Sequence, residues 1–98
     1  MNDLLTNLEH TIERLECIRD NGSAIDPALI EQISELYDQQ QALLSIEITG
    51  QTNSYQAANI AMAEAAEKAK DAIDDLSEVT GLVKKVADAV KAVGEIMG

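Results

Sequence analysis

The sequence predicts an all-α fold, a hairpin or bundle of three helices in one domain over residues 1–98, with a long heptad-patterned helix at its C-terminal end. Three observations carry that expectation. Hydrophobic residues make up 46% of the 98-residue chain, yet the only aromatics are Tyr37 and Tyr55. A core must then be built from Leu, Ile, Val and Ala, without the rings that each remove about 150–250 Å² from water. Many thin contacts suit closely spaced helices better than a sheet. Apolar residues also recur at spacings of three and four along most of the chain, the period of one helix face. The stretches that interrupt this rhythm are rich in helix-ending and helix-starting residues.

The first helix is expected over 2–20. Leu5, Leu8, Ile12 and Leu15 form its stripe, with Leu4 and Ile18 flanking. Asn2 or Asp3 can cap it, because a short side-chain oxygen reaches the free amides of the first turn. "DNGSAIDP" ends it. Gly22 can close the helix in a left-handed conformation. Asp26 then caps a new helix whose first position is Pro27, where a missing N–H costs nothing.

The second helix is expected over 27–49, burying Leu29, Ile30, Ile33, Leu36, Tyr37, Leu43 and Leu44. Its middle, "DQQQA", puts Gln40 or Gln41 where an apolar residue would normally sit. A buried glutamine can fix the register of partner helices at some cost in stability. At the edge of the stripe it would only reach to water.

The third helix, over 53–97, gives the strongest periodic signal. Tyr55, Ala58, Met62, Ala65, Ala69, Ala72, Leu76, Val79, Val83, Val86, Val90, Val93 and Met97 alternate by three and four without a slip. A second shoulder at Ala66, Ile73, Thr80 and Ala87 widens the stripe enough to face two neighbours. Gly81 falls on the outer face of this frame. A break at 80–81, giving a four-helix bundle, is the alternative.

Between the second and third helices lies "ITGQTNSY", residues 48–55. Thr49, Gly50, Thr52, Asn53 and Ser54 each cost about 0.5–1 kcal/mol in a helix relative to Ala. Leu44, Ile48, Gln51 and Tyr55 nevertheless continue the later frame. A helix running through would be about 105 Å long, far beyond a small domain, so a turn at 49–54 is expected. The expected core is Leu5, Leu8, Ile12, Leu15, Ile30, Ile33, Leu44, Ala65, Ala69, Ala72 and Leu76.

Lengths then suggest an interface. A third helix of about 67 Å would outrun neighbours of about 28 and 35 Å. Val79, Val83, Val86, Val90, Val93 and Met97 would be left for a second copy or another helical partner, because exposed apolar stripes of that size mark interfaces.

Eighteen acidic and seven basic residues give a net charge of −11. Phosphate backbones repel such a surface, which argues against nucleic acid, and anionic membranes are disfavoured likewise. Residues 1–50 hold ten acidic and two basic residues, against eight and five in 51–98, so the N-terminal half is the more acidic face. Cys17 is the single cysteine and cannot form an intramolecular disulfide. "MNDLLTNLEH" lacks the basic start and apolar run of a signal peptide, and no window approaches ~18 apolar residues. A cytoplasmic protein is expected, with signal-less export left open.

Little in the sequence points to chemistry. His10, Glu13 and Cys17 are metal-ligand types, but His10 and Cys17 lie about 10 Å apart along one helix, too far for one zinc ion. Asp74 and Asp75 are adjacent and diverge on a helix. Asp71 and Asp74 read as a solvated face with Lys68 and Lys70. There is no Gly-rich phosphate loop, no Ser–His–Asp order and no HExxH. The expectation is a non-enzymatic protein without catalytic, cofactor or metal sites. It would act by helix pairing, as a small acidic adaptor, assembly subunit or secretion helper. The alternative is a membrane-active protein using the amphipathic segment 82–97, with Lys84, Lys85 and Lys91 facing outward.

Overall fold

The helices start and stop where local chemistry dictates. The computed structural model describes residues 3–21, 27–45 and 53–97. Among these it forms four α-helices: α1 (Asp3–Asn21), α2 (Pro27–Leu44), α3 (Asn53–Asp74) and α4 (Val79–Met97), with a 3₁₀ turn at Leu76–Glu78. At the end of α1, Asn21 Nδ2 donates to the Cys17 carbonyl at 2.9 Å, which folds its side chain back over the last turn. Pro27 opens α2 as expected. The N–H and Oγ of Ser45 both donate to the Ala42 carbonyl, at 3.2 and 2.9 Å, which closes that helix at Leu44 rather than at 49.

The single helix expected over 53–97 is two helices. Asp75 leaves the helical path, with φ −143° and ψ 102°, and caps the 3₁₀ turn after it. Its carboxylate accepts from the Ser77 N–H at 3.0 Å and from Ser77 Oγ at 2.7 Å. The sequence Asp75-Leu76-Ser77-Glu78 has the residue types of a capping box. The break therefore lies at 75–78, ahead of the Thr80-Gly81 position considered as the alternative. The three-four alternation passes through it in phase, so periodicity could not reveal it.

Paired residues fix the topology. Tyr37 Oη donates to Glu16 and Gln40 Nε2 to Glu9, so α1 and α2 run antiparallel. Lys68 with Glu78, and Lys85 with Glu64, do the same for α3 and α4. By contrast, Leu4 meets Tyr55, Asn7 meets Asn59 and Arg14 meets Ala66, which makes α1 and α3 parallel. Gln32 meets Val83 and Gln39 meets Val90, so α2 and α4 are parallel too. Among the described residues no Cα atoms of the pairs α1/α4 and α2/α3 come within 8 Å, so these pairs form the diagonals of the bundle. The chain must thus reverse between Leu44 and Asn53, which rules out one helix through "ITGQTNSY". The expected turn itself, at 49–54, falls mostly outside the described residues.

The bundle measures 40 × 21 × 19 Å. Its core runs through Leu4, Leu8, Ile12, Leu15 and Ile18 of α1 and Leu29, Ile33, Leu36 and Leu43 of α2. From α3 it takes Ala58, Met62, Ala65, Ala69 and Ala72, small residues for the most part, which admit both α1 and α4 closely. Leu82, Val86, Ala89 and Val93 complete it from α4. Three expected core residues lie outside: Ile30, Leu44 and Leu76, at 50%, 60% and 59% exposure. The α2 stripe is narrower than its apolar residues suggest, because Gln32 takes a core position. Leu76 sits in the break, where no helix covers it. Leu5 is half-buried at the edge of the core. Of the expected second shoulder only Ala66 is buried. The second neighbour of α4 is α2, which meets it at the carbonyls of Val83 and Val90.

Candidate functional site

The valine row expected to form an interface is turned to the inside. Val86 and Val93 are fully buried, and Val79, Val83 and Val90 are half-buried against the core. The side chain of Met97 lies outside the described residues. The premise of an uncovered stripe falls with the break at Asp75, since α4 folds back along α3 and buries its own valines.

Polar side chains stitch the parallel seams. Arg14 Nη1 donates to the Ala66 carbonyl at 2.7 Å. Thr11 Oγ1, fully buried, is 2.8 Å from the Asn7 carbonyl and 3.5 Å from that of Met62. On the other seam, Gln32 Nε2 donates to Val83 O at 2.8 Å and Gln39 Nε2 to Val90 O at 2.9 Å. Both Oε1 atoms are buried without a hydrogen-bond partner among the described residues. The buried glutamine considered at Gln40 or Gln41 is found instead at Gln32, with Gln39 half-buried two turns further on. Gln40 is half-buried and reaches Glu9, while Gln41 is exposed.

Gly81 does not face outward. A Cβ there would come within 2.9 Å of Lys68 Cε, so the glycine gives Lys68 room to pair with Glu78. That hydrogen bond, ahead of other effects, holds the Lys68 ammonium above its ordinary pKa. Asp71 and Asp74 remain exposed.

His10 and Glu13 are exposed on α1, while Cys17 is half-buried. The Cys17 sulfur accepts a 3.4 Å contact from Asn21 Nδ2. Among the described residues no group of three His, Cys, Asp or Glu side chains is placed to hold a metal ion. Also among them, no helix is long and apolar enough to cross a membrane.

On the outer face of the α1/α2 hairpin, shape, charge and apolarity converge. A groove of about 290 Å³ runs between the helices, with Ile12 at its floor and Glu9, Glu13, Glu16, Tyr37 and Gln40 on its walls. Tyr37 Oη donates to Glu16 at 2.8 Å. That hydrogen bond, with burial and the nearby charges of Glu16 and Glu13 adding, raises the phenol above its ordinary pKa, so it stays a neutral donor. Beside the groove, Ile30, Tyr37 and Leu44 stand 50%, 42% and 60% exposed. They repeat every seven residues, so they lie in one row along α2. All three were expected inside the bundle. Their spacing is visible in the sequence, but only the fold shows that the row faces outward. No protein-family model matches the chain, no curated protein matches it in sequence, and no solved structure matches it in fold.

Proposed function

We propose that this protein is a non-enzymatic interaction module that works by pairing with another helix, as an adaptor, assembly subunit or secretion helper would. The observation that supports this best is the heptad-spaced row of Ile30, Tyr37 and Leu44 on α2. A helix packing partner reads such a row as alternate knobs, and helix-in-groove binding uses anchors at helical spacing. The valine row of α4, expected from sequence to be the interface, already serves the interior. The first hairpin is accordingly the better candidate for the pairing surface. The ionisable pairs the fold brings together are surface contacts, such as Lys85 with Glu64 at 3.3 Å, which suits a scaffold more than a catalyst.

Membrane binding through residues 82–97 has less support. Leu82, Val86, Ala89 and Val93 are buried in the bundle, so α4 would have to leave the core before it could enter a lipid interface. The test is a variant with Ile30, Tyr37 and Leu44 all changed to serine. Partners retained from a native extract by the unmodified protein should be lost by the variant, with circular dichroism unchanged. Equal retention by both would overturn this placement of the pairing surface. Liposome flotation of the unmodified protein would point to the membrane reading instead.

A further inference from the structure

We infer that the groove between α1 and α2 is a docking site for a cationic amphipathic helix, an inference that rests on the helix-pairing function proposed above. Two parallel features make the site. On α1, Glu9, Glu13, Glu16 and Asp20 succeed one another at spacings of four, three and four, so they form one acidic ladder about 16 Å long. Alongside it on α2, Ile30, Tyr37 and Leu44 mark an apolar row about 21 Å long, with the exposed Ser34 and Gln41 between them. Because α1 and α2 are antiparallel and Glu16 bonds Tyr37, ladder and row lie side by side with Ile12 beneath.

Among the described residues the charge of the site is answered only at its far end, by Arg19. Arg14 is turned away to the Ala66 carbonyl on α3. Arg19 lies at the far end, on Asp20 at 3.1 Å and Glu16 at 3.9 Å. Glu13 has no ion-pair or hydrogen-bond partner among the described residues, and Glu9 has only the long 3.4 Å contact from Gln40. The flank of α2 adds Glu31, Glu35 and Asp38, all exposed, and α2 has no basic residue. A helix that fits would place apolar side chains every seventh residue on the α2 row. Its lysines or arginines, at spacings of three and four on the adjoining flank, would meet the α1 ladder. Two heptads suffice to cover the row.

A second copy of this chain is a poorer occupant. Its lysine-bearing helices, α3 and α4, turn their main apolar faces into their own core, and two surfaces of net charge −11 repel. The partner is therefore a different chain, one with a basic amphipathic helix.

The test uses the full chain and a labelled helical peptide of about 18 residues. The probe carries leucine at every seventh position and lysine along one flank, and a control peptide has the lysines replaced by glutamine. Fluorescence anisotropy should show the lysine peptide binding more tightly, with affinity falling as salt rises. The triple variant Glu9→Gln, Glu13→Gln, Glu16→Gln should lose roughly tenfold in affinity, since each exposed ion pair contributes up to a factor of about five. The same number of charges removed elsewhere, by Glu64→Gln, Glu67→Gln and Asp71→Asn, should change little. Equal losses from the two triple variants would overturn the assignment, because binding would then depend on net charge alone. If both peptides bind equally and Leu44→Ser weakens both, helix pairing on α2 stands but the cationic preference is wrong. If neither binds, the docking site is wrong. Self-association in sedimentation equilibrium that the Glu→Gln triple variant abolishes would also overturn it, in favour of a second copy.

Discussion

Replacing Gln32 by methionine should stabilise the protein, although it deletes an interhelical hydrogen bond. The bond from Gln32 Nε2 to Val83 O contributes about 0.5–1.5 kcal/mol net, as a typical intramolecular hydrogen bond does. The other half of the amide works against it. Gln32 Oε1 is buried without a partner, and an unsatisfied buried acceptor costs about 1–3 kcal/mol. Val83 O is not orphaned by the change, because it lies inside α4 and accepts from the N–H four residues on. Methionine has similar length and no polar atoms, and it bends to fit irregular space. The balance favours the variant by about 1 kcal/mol. Gln39→Met should add a similar increment, as its Oε1 is equally unpaired. The two sites lie about 10 Å apart along α2, so their effects should nearly add. Thermal and urea unfolding of both single variants and the double would measure this. An increase of about 4–8 °C per kcal/mol is expected for a chain of this size, with an unchanged urea dependence. Destabilisation by more than about 1 kcal/mol at either site would refute the reasoning, and would mean that water reaches the oxygen or that the amide fixes the register of α2 on α4.

Gly94→Ala should raise stability by about 0.5–1 kcal/mol, because it sits within α4 with nothing within 4 Å of a new Cβ. Gly81→Ala should gain less in the same unfolding assay, since the new methyl must displace Lys68 Cε from a 2.9 Å approach. Val86→Asp should destabilise by about 4 kcal/mol or more, as an unpaired charge in a fully buried position. Chemical denaturation would show that loss, and a stable folded variant would mean α4 is not docked as described. Asp75→Ala should loosen the α3–α4 junction, read as faster amide exchange at Ser77. The hydrogen bonds from Ser77 hold the Asp75 carboxyl below its usual range, so the cap is present above the ordinary carboxylate pKa. It is lost as pH falls through the lower folded value. Protection at Ser77 in the unmodified protein should therefore weaken only at strongly acid pH.

Periodicity reveals the helices of this chain well and their partners poorly. The N-terminus of α2 at Pro27 and of α3 at Asn53 are legible because caps are local chemistry. Most of the α1 stripe and the buried alanines of α3 come from spacing alone. The break at Asp75 is hidden because Ala72, Leu76, Val79 and Val83 keep one frame across it. Its capping sequence is visible but outweighed by that rhythm. Ile30 and Leu44 mislead for a different reason. A row at heptad spacing looks the same whether it faces the core or the solvent, and only the neighbours of α2 decide. Gln32 does not stand out as a core residue because polarity counts against burial until a carbonyl is found to receive it. The acidic ladder on α1 is present in the sequence as a charge excess. Its meaning as one face needs the groove beside it.

The parallel pairing of α1 with α3 and α2 with α4 also bears on the order in which the chain folds. Antiparallel partners lie close in sequence, whereas the parallel seams join residues such as Gln32 and Val83, 51 positions apart. Contacts that close short loops form early, and distant ones must wait for a larger entropic cost to be met. The two hairpins should therefore assemble separately and dock in the final step. Substitutions at the Leu15 and Leu36 level, within a hairpin, would slow folding. Substitutions in the glutamine seam would act on the rate of unfolding and leave the folding rate almost untouched.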